Sequence, residues 1–278
     1  MSPSPPASPP ARRLLAAAAL GLACALSGGA RAQAQAPLEL DVPYVPTPRE
    51  VVSRMLEMAD VQPADFVVDL GSGDGRIAIA AVRERGARGA MGVDIDPERI
   101  AEARANAERA GVADKVEFRR QDLFDTDLSR ASVLTMYLLP DVNLKLRPRI
   151  LDELPPGTRV VSHAFTMRDW EPDASASVDG RSIYLWIVPA KVDGAWKVRA
   201  PEGEFTVEFA QRFQKLSGMA RLPDRNAALG EAALRGQAIR FTLDEGGQAR
   251  TYVGKVEGDR ISGHPADSGG RAWQATRP

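Results

Sequence analysis

The sequence predicts an α/β fold with a doubly wound, mostly parallel sheet, followed by a small antiparallel β domain. Short apolar segments of strand type alternate with amphipathic segments of helix type between residues 47 and 188. This alternation is typical of a parallel sheet with helices on both faces. From about Lys191 the pattern changes to short β-type segments separated by glycines, which predicts an antiparallel meander or partial barrel.

Local signals place the elements of the first part. Thr47, Pro48 and Glu50 form the pattern of a capping box with proline at the first helical position, so a helix is predicted to begin there. A later helix is predicted within residues 141–154, at least after Pro148. The predicted strands are residues 66–68, 90–93, 116–118, 133–138, 160–165 and 183–188.

Composition and charge exclude several classes of protein. The chain has 278 residues, with 36 Lys and Arg against 37 Asp and Glu. This balance argues against a general nucleic-acid binder, so no nucleic-acid partner is expected. One Cys and two His exclude a disulfide framework and a Cys-based metal cluster, and no metal site is predicted.

The N-terminal residues 1–34 are predicted to be a signal peptide. Arg12 and Arg13 precede an apolar run at 14–26, and small residues follow, with cleavage plausible after Ala32 or Ala34. The apolar run is too short to span a membrane, so the mature chain is expected to have no transmembrane segment.

Export to the periplasm follows from this leader. The adjacent arginines, followed by two leucines, match part of a twin-arginine signal, and an ordinary Sec leader remains an alternative. A start codon downstream of the leader would instead leave the protein in the cytoplasm. Cleavage removes the lone Cys24 and three arginines, which leaves 33 basic against 37 acidic side chains. The predicted parts are thus the leader, an α/β domain at residues 35–190 and a β domain at residues 191–278.

A glycine-rich loop follows the first predicted strand. The stretch from Asp69 to Gly75 reads Asp-Leu-Gly-Ser-Gly-Asp-Gly, and such glycines let a chain turn tightly and approach a ligand. A second acid, Asp94, closes the next strand, where it is placed to bind ribose hydroxyls. A third, Asp122, follows the third strand and is placed to accept from an adenine amine. Three acids at three successive strand ends predict a nucleoside-binding crevice.

The charge of the loop favours one class of nucleoside ligand. A dinucleotide fold uses the spacing G-x-G-x-x-G, whereas this loop has G-x-G-x-G with Asp69 and Asp74 beside the glycines. Acids would repel a diphosphate and attract the ammonium and sulfonium groups of S-adenosyl-L-methionine (SAM). SAM is therefore the predicted cofactor.

Residues 44–188 resemble the class I SAM-dependent methyltransferases, which have a Rossmann-like sheet. Three segments carry the resemblance, namely D-L-G-S-G-D-G-R at 69–76, G-V-D-I-D at 92–96 and Q-D-L at 121–123. The Y-V-P-T-P stretch at 44–48 is similar to the small seven-strand protein-lysine methyltransferases, including those that act on the ATP-synthase c-subunit. The leader and the C-terminal β domain depart from that pattern.

The resemblance implies a role for each matched position. Asp69, Gly71, Ser72 and Gly73 would hold the methionine moiety, and Tyr44 and Thr47 would close over it. Asp94 would bind the ribose diol, and the adenine would lie against Ile95, Asp122 and Leu123. Tyr137 would line the channel of the acceptor. His163 is interpreted as a satisfied strand residue rather than a base, and no catalytic residue is named.

The predicted function is transfer of a methyl group from SAM to an amine acceptor, a protein lysine or a small amine. Alignment and desolvation are the expected contributions of the protein, since an apolar channel that lowers the pKa of a lysine can replace a general base. The alternatives are a small-molecule methyltransferase and an exported SAM-binding or interaction module that keeps the fold without turnover.

Overall fold

A seven-stranded sheet forms the first part of the fold. A computed structural model of the chain describes residues 45–201, 203–244, 247–265 and 271–278. The strands are β1 (Phe66–Leu70), β2 (Gly89–Asp94), β3 (Val116–Arg120), β4 (Val133–Met136), β5 (Arg159–His163), β6 (Ala174–Val178) and β7 (Arg181–Ile187). Their order is β3-β2-β1-β4-β5-β7-β6. The first five strands are parallel, while β7 runs antiparallel to β5 and β6.

Four helices cover the two faces of this sheet. They are α1 (Arg49–Met58), α2 (Arg76–Arg83), α3 (Pro97–Ala110) and α4 (Pro140–Glu153). Apolar side chains of α1, α2 and α3 share one buried cluster with the sheet, and those of α4 share the cluster on the opposite face. Helices on both faces confirm the doubly wound α/β class, and the continuous burial of β1 fits a strand at the centre of such a sheet.

Helix α1 begins one residue later than predicted and without the predicted cap. Pro48 is its N-cap, and no side chain caps the helix by a hydrogen bond. The hydroxyl of Thr47 is hydrogen-bonded to β5 instead, where its Oγ1 lies 3.2 Å from Nδ1 of His163. The capping-box prediction is wrong because this contact with β5 takes up the threonine hydroxyl.

Helix α4 is longer than predicted and contains Pro148 in its interior. A proline at this position removes one hydrogen bond of the helix. Packing outweighs that loss, because Val142, Leu146 and Ile150 bury one face of the helix against the sheet. Tertiary burial on both sides of the proline therefore decides the length of this helix.

Strand β6 was not predicted. Its sequence, Ala-Ser-Ala-Ser-Val, is small and largely exposed at the edge of the sheet, so it has no apolar alternation to mark it. The hairpin to β7 does have a sequence signal, since Asp179 and Gly180 have φ angles of +48° and +75°. Asp-Gly is a favoured pair for a two-residue hairpin turn.

The second part of the fold is a closed eight-stranded antiparallel barrel. Its strands are β8 (Gly194–Ala200), β9 (Gly203–Arg212), β10 (Lys215–Arg221), β11 (Asn226–Arg235), β12 (Ala238–Asp244), β13 (Ala249–Glu257), β14 (Arg260–Pro265) and β15 (Trp273–Thr276). Successive strands pair as a meander, and β15 closes on β8. The antiparallel β prediction is confirmed, and the partial barrel proves to be a complete one.

Large side chains fill the barrel. Trp196, Phe241, Tyr252 and Trp273 are all buried in its interior. The rings of Phe241 and Tyr252 stack 5.0 Å apart, and Trp273 meets both edge-on. An eight-stranded barrel has just enough room for such a packed core. The interior is therefore structural rather than a ligand cavity.

The described residues of the two parts belong to one compact unit. The predicted signal peptide and Tyr44 lie outside the described residues. In the portion of the chain that the structure describes, no helix combines the length and the apolar character needed to cross a membrane.

Candidate active site

A cleft opens at the carboxyl ends of the parallel strands, where ligands bind in open α/β sheets. It is open to solvent and spans about 910 Å³ when the solvent at its mouth is included. Eight of the predicted site residues line it, namely Thr47, Gly71, Ser72, Asp94, Ile95, Asp122, Leu123 and Tyr137. The structure thus brings together residues from the segment before α1 and from the ends of β1, β2, β3 and β4.

The glycine-rich loop uses its own N–H groups inside the protein. The N–H groups of Gly71 and Ser72 both donate to the carbonyl of Val93 at 2.9 Å. The N–H of Gly73 donates to Oδ2 of Asp94 at 2.9 Å, and that of Gly75 donates to the Ser72 carbonyl. A pyrophosphate needs free N–H donors at such a loop. Since these N–H groups already donate to acceptors within the protein, the loop suits a cationic ligand better than a diphosphate.

Gly71 is required at the floor of the cleft for two reasons. Its φ of +70° lies in the left-handed region, which side-chain-bearing residues adopt only at a cost. A Cβ atom there would also lie 2.8 Å from Cδ2 of Leu138. The loop can therefore pass close under Leu138 only because position 71 has no side chain.

Asp94 joins two loops at the end of β2. Its Oδ2 accepts from the N–H of Gly73 and its Oδ1 accepts from the N–H of Asp96, both at 2.9 Å. Each carboxylate oxygen can accept a second hydrogen bond, and the residue lines the cleft. Asp94 is thus held rigidly, with acceptor capacity left for a diol.

The end of the cleft formed by Ile95 and Leu123 is partly apolar. Ile95 is 36% exposed, a large apolar side chain at the cleft wall. Opposite this strand end, Asp122 Oδ1 accepts from the Phe124 N–H at 2.8 Å and so caps the 3₁₀ turn Leu123–Asp125. One carboxylate oxygen of Asp122 remains for a ligand, and Leu123 lines the same wall.

Asp69 lies beneath the cleft rather than on its wall. The residue is 1% exposed, and Thr135 donates from Oγ1 to its Oδ1 at 2.7 Å. Within the described chain, its Oδ2 is buried without a hydrogen-bond partner. Burial raises the pKa of Asp69 to about 7, and the nearby charges of Asp74 and Asp94 add to this rise. The carboxyl group is therefore a buried acid directly under the loop, and it is only partly ionised near pH 7.

An ion pair fixes the edge of the cleft next to the loop. Arg76 contacts both carboxylate oxygens of Asp74, with Nη2 and Oδ2 at 2.6 Å. The Nη1 of Arg76 donates to the carbonyl of Thr47 at 2.9 Å. The pair thus ties the segment before α1 to the loop after β1. The sequence placed Asp74 among the acids of the loop, and the structure adds that Arg76 pairs with it.

The wall of the cleft next to the end of β4 is formed by Tyr137, whose ring packs against two further aromatic rings. The rings of Tyr137 and His163 lie 4.0 Å apart, and those of Tyr137 and Phe165 stack at 6.3 Å. Burial lowers the pKa of His163 to about 4, with a further contribution from the positive charge of Arg181. His163 is therefore neutral at physiological pH, and this wall of the site carries no charge.

The sequence missed two residues that shape the site. Thr135 is the one polar residue in the buried strand Val-Leu-Thr-Met, and this contrast was a usable signal for a buried hydrogen bond. Phe165 gave no signal, because only the turn after β5 brings its ring to Tyr137. Two predicted positions, Asp69 and Gly73, support the cleft from behind rather than line it.

The chemistry of these groups fits SAM. The cleft combines a partly apolar wall at Ile95 and Leu123 with the acceptor oxygens of Asp94 and the buried carboxyl group under the loop. The N–H groups of all three glycines of the loop and of Ser72 already donate within the protein. Within the described ranges, no group of three or more His, Cys, Asp or Glu side chains is placed to hold a metal ion.

Comparison with known proteins agrees with this chemistry. The model of the ANTKMT methyltransferase domain matches residues 69–174. A protein-lysine N-methyltransferase of Saccharolobus islandicus is 47% identical over 151 residues, 53% of this chain and 94% of that protein. An adenine nucleotide translocase lysine N-methyltransferase of mouse is 40% identical over 138 residues, 50% of this chain and 59% of the mouse protein.

A solved structure of a methyltransferase is also similar to this chain. It is described as an RNA methyltransferase from Salinibacter ruber in complex with S-adenosyl-L-homocysteine, and it is 55% identical. The match covers 53% of this chain and 96% of that chain, with a TM-score of 0.52. This chain is thus a SAM-dependent methyltransferase, and it belongs to the family of the class I protein-lysine N-methyltransferases represented by the Saccharolobus islandicus protein.

Proposed function

We propose that the protein methylates the ε-amino group of lysine in a protein acceptor. The observation that carries this proposal is an uncharged wall at one end of the cofactor cleft, formed by Tyr137 with neutral His163 and Phe165 packed against it. Such a wall favours the neutral form of an amine, because burial in apolar surroundings lowers the pKa of lysine. The named activity of the Saccharolobus and mouse relatives supports the same acceptor.

Bound SAM supplies an electrophilic methyl group on a sulfonium sulfur. The residues of this chain orient the two reactants, which is the main contribution expected for an in-line transfer. Asp94 and the loop from Gly71 to Gly73 would hold the cofactor, and the aromatic wall would align the attacking nitrogen and exclude water. Transfer would form the bond between methyl carbon and nitrogen, break the bond to sulfur and leave the electron pair on sulfur, and the methylated amine would lose its proton to solvent.

A titration tests the cofactor half of the proposal. We expect calorimetry of the purified full chain with SAM to show binding. Asp94→Ala should weaken this binding at least about tenfold, because the substitution removes the hydrogen bonds to two loops together with the acceptor for the ribose diol. Asp114→Ala, an exposed acid away from the cleft, is the matched control. Absence of heat at hundreds of micromolar SAM would contradict the proposed site.

Tritium transfer tests the acceptor. Labelled SAM, the enzyme and a cell extract are incubated, and the extract is then divided and treated with either protease or ribonuclease. We expect the label to be protease-sensitive and to be recovered in methyl-lysine after hydrolysis. Label that is lost only with ribonuclease would favour RNA, the acceptor class in the description of the Salinibacter structure.

We also propose that the protein is exported to the periplasm, on the basis of the leader pattern in residues 1–34. SAM is made in the cytoplasm, so a twin-arginine route, which carries folded proteins, would let bound cofactor cross with the enzyme. Fusion of the leader to a reporter tests this, with Arg12 and Arg13 both changed to lysine. Export that the double change abolishes supports the twin-arginine route, and a reporter retained in the cytoplasm without any change contradicts export.

A further inference from the structure

The barrel inserts one side chain into the methyltransferase domain. Phe213 lies at the turn between β9 and β10, and its ring stacks on Trp170 at a centroid distance of 5.8 Å. The guanidinium of Arg147, on α4, lies 5.4 Å from the centre of the same ring. Trp170 is completely buried and packs on Trp186 of β7. Phe213 is partly buried, and it thus packs against the apolar cluster of the sheet rather than against that of its own barrel.

Polar contacts surround this inserted ring. Nε2 of Gln214 donates to the carbonyl of Glu171 at 2.7 Å, and Lys215 pairs with the carboxylate of Glu171 at 2.7 Å. Arg212 lies 3.3 Å from the carboxylate of Asp169. Three residues that flank Phe213 in the sequence therefore hold the segment that contains Trp170. We call residues 164–173, which connect β5 to β6, the acceptor loop.

The acceptor loop runs from the active site to the barrel. At its start, Phe165 stacks on Tyr137 in the uncharged wall of the cleft. In its middle, the carbonyl of Met167 accepts from Nη1 of Arg147 at 2.9 Å. Only a few residues of chain therefore separate the ring that packs on Tyr137 from the groups that Phe213 contacts.

The conformation of this loop needs external support. Ala164 and Arg168 have φ angles of +67° and +55°, and Phe213 itself has +55°. Residues with side chains hold such angles only where surrounding contacts enforce them. Strained residues on both sides of the contact are typical of a junction that positions functional groups.

The barrel is not a general requirement of the family. The matching family model ends at residue 174, before the first barrel strand. The Saccharolobus relative matches over 94% of its length with 151 residues, so it is too short to contain both parts. A role of the barrel that is specific to this chain is therefore expected at the acceptor rather than at the cofactor.

We propose that Phe213 is a positioning residue for the acceptor side of the active site. By contacting Trp170 and Arg147, it fixes the acceptor loop and so keeps Phe165 against Tyr137. The barrel thereby determines how well an acceptor binds and leaves the cofactor cleft unchanged. This inference rests on the proposed function in placing the acceptor at Tyr137.

Phe213→Gly in the full chain is the informative change. Glycine accepts a φ of +55° without strain, so the variant loses the ring but keeps an unstrained turn. Phe213→Tyr retains the stack and serves as the conservative rescue. Met219→Gly, at an exposed position on the outer surface of the barrel, is the matched control.

Hydrogen exchange gives a readout that needs no acceptor. We expect amides of residues 164–173 to exchange about tenfold faster in Phe213→Gly than in wild type, as for a locally opened loop. Amides of residues 69–76 and the calorimetric Kd for SAM should not change. Unchanged exchange in the acceptor loop, or equal acceleration throughout the protein, would overturn the proposal.

Kinetics with poly-L-lysine as acceptor probe completes the test. Phe213→Gly should raise KM for poly-L-lysine about fivefold with a smaller effect on kcat, whereas Phe213→Tyr and Met219→Gly should match wild type. Equal KM values in Phe213→Gly and wild type would refute the positioning role. If wild type itself transfers no methyl group to poly-L-lysine, the lysine proposal fails instead, and the exchange experiment still decides the role of Phe213.

Discussion

Replacing Asp69 by asparagine should stabilise the protein above pH 7 and weaken its binding of SAM. The carboxylate is buried, and one of its oxygens has no hydrogen-bond partner within the described chain. Asparagine keeps the acceptor for Thr135 and removes the charge. The same substitution therefore relieves a cost of folding and deletes the negative group beneath the cationic ligand.

The size of the effect follows from the pKa. The pKa of Asp69 is raised from 3.8 to about 7, mainly by burial. The rise means that the folded protein with ionised Asp69 is disfavoured by about 4 kcal/mol, because each tenfold change in the protonation equilibrium corresponds to about 1.4 kcal/mol. The amide N–H₂ of asparagine is also left without a partner, at a cost of about 1–3 kcal/mol. We therefore expect a net gain of about 1–3 kcal/mol at pH 8.

The gain should depend on pH in a defined direction. Between pH 3.8 and 7 the folded wild type binds more protons at Asp69 than the unfolded chain does, so this residue makes stability fall as pH rises. The difference between variant and wild type should grow from pH 4 to 7 and stay constant above it. Taking this difference cancels the opposite effect of His163, which titrates in the same range.

Urea unfolding at pH 5, 6, 7 and 8 measures the difference directly. Asp114→Asn, at an exposed site, should show no such trend. A stability difference that is constant from pH 5 to 8 would refute the reasoning, because Asp69 would then not titrate in this range. Stronger binding of SAM by Asp69→Asn would refute the assignment of Asp69 as the negative group of the cofactor site.

Three further predictions concern the same cleft. Gly71→Ala should destabilise the protein by at least about 1 kcal/mol, because position 71 has a left-handed φ and the new Cβ meets Leu138, and Leu138→Ala should recover part of the loss in urea unfolding. Wild type should lose up to about 3 kcal/mol of stability as the pH falls from 6.5 to 4, because the pKa of the buried imidazole of His163 is lowered to about 4. His163→Gln should abolish this loss, and an acid-unfolding curve identical to that of wild type would contradict the prediction. SAM binding near pH 7 should release protons from Asp69, since a cation lowers the pKa of a nearby carboxyl, and calorimetry in buffers of different ionisation enthalpy measures this release.

The cofactor cleft was largely predictable from the chain itself. Its residues lie in short segments directly after buried strands, and parallel strands bring their carboxyl ends to one edge. Asp94, Ile95, Asp122 and Leu123 therefore reach the cleft wall without any long-range information beyond the order of the strands. The glycines at positions 71 and 73 are explained equally locally, by positive φ angles.

The remaining features depend on contacts between distant segments. The environment of Asp69, which decides its charge, is set by Thr135 and by the closing of the sheet around it. The hydroxyl of Thr47 bonds to a residue 116 positions away rather than capping its own helix. Neither partner is visible to a reading of neighbouring residues.

The sequence by itself determined the class of fold and the cofactor, because strand-end acids and a glycine-rich turn are local patterns. Only the tertiary structure decided that the β domain closes into a filled barrel and that Phe213 enters the cluster of the neighbouring sheet. Burial, charge state and the docking of one domain on another are properties of the whole packed chain, since each depends on which distant groups exclude water from a side chain.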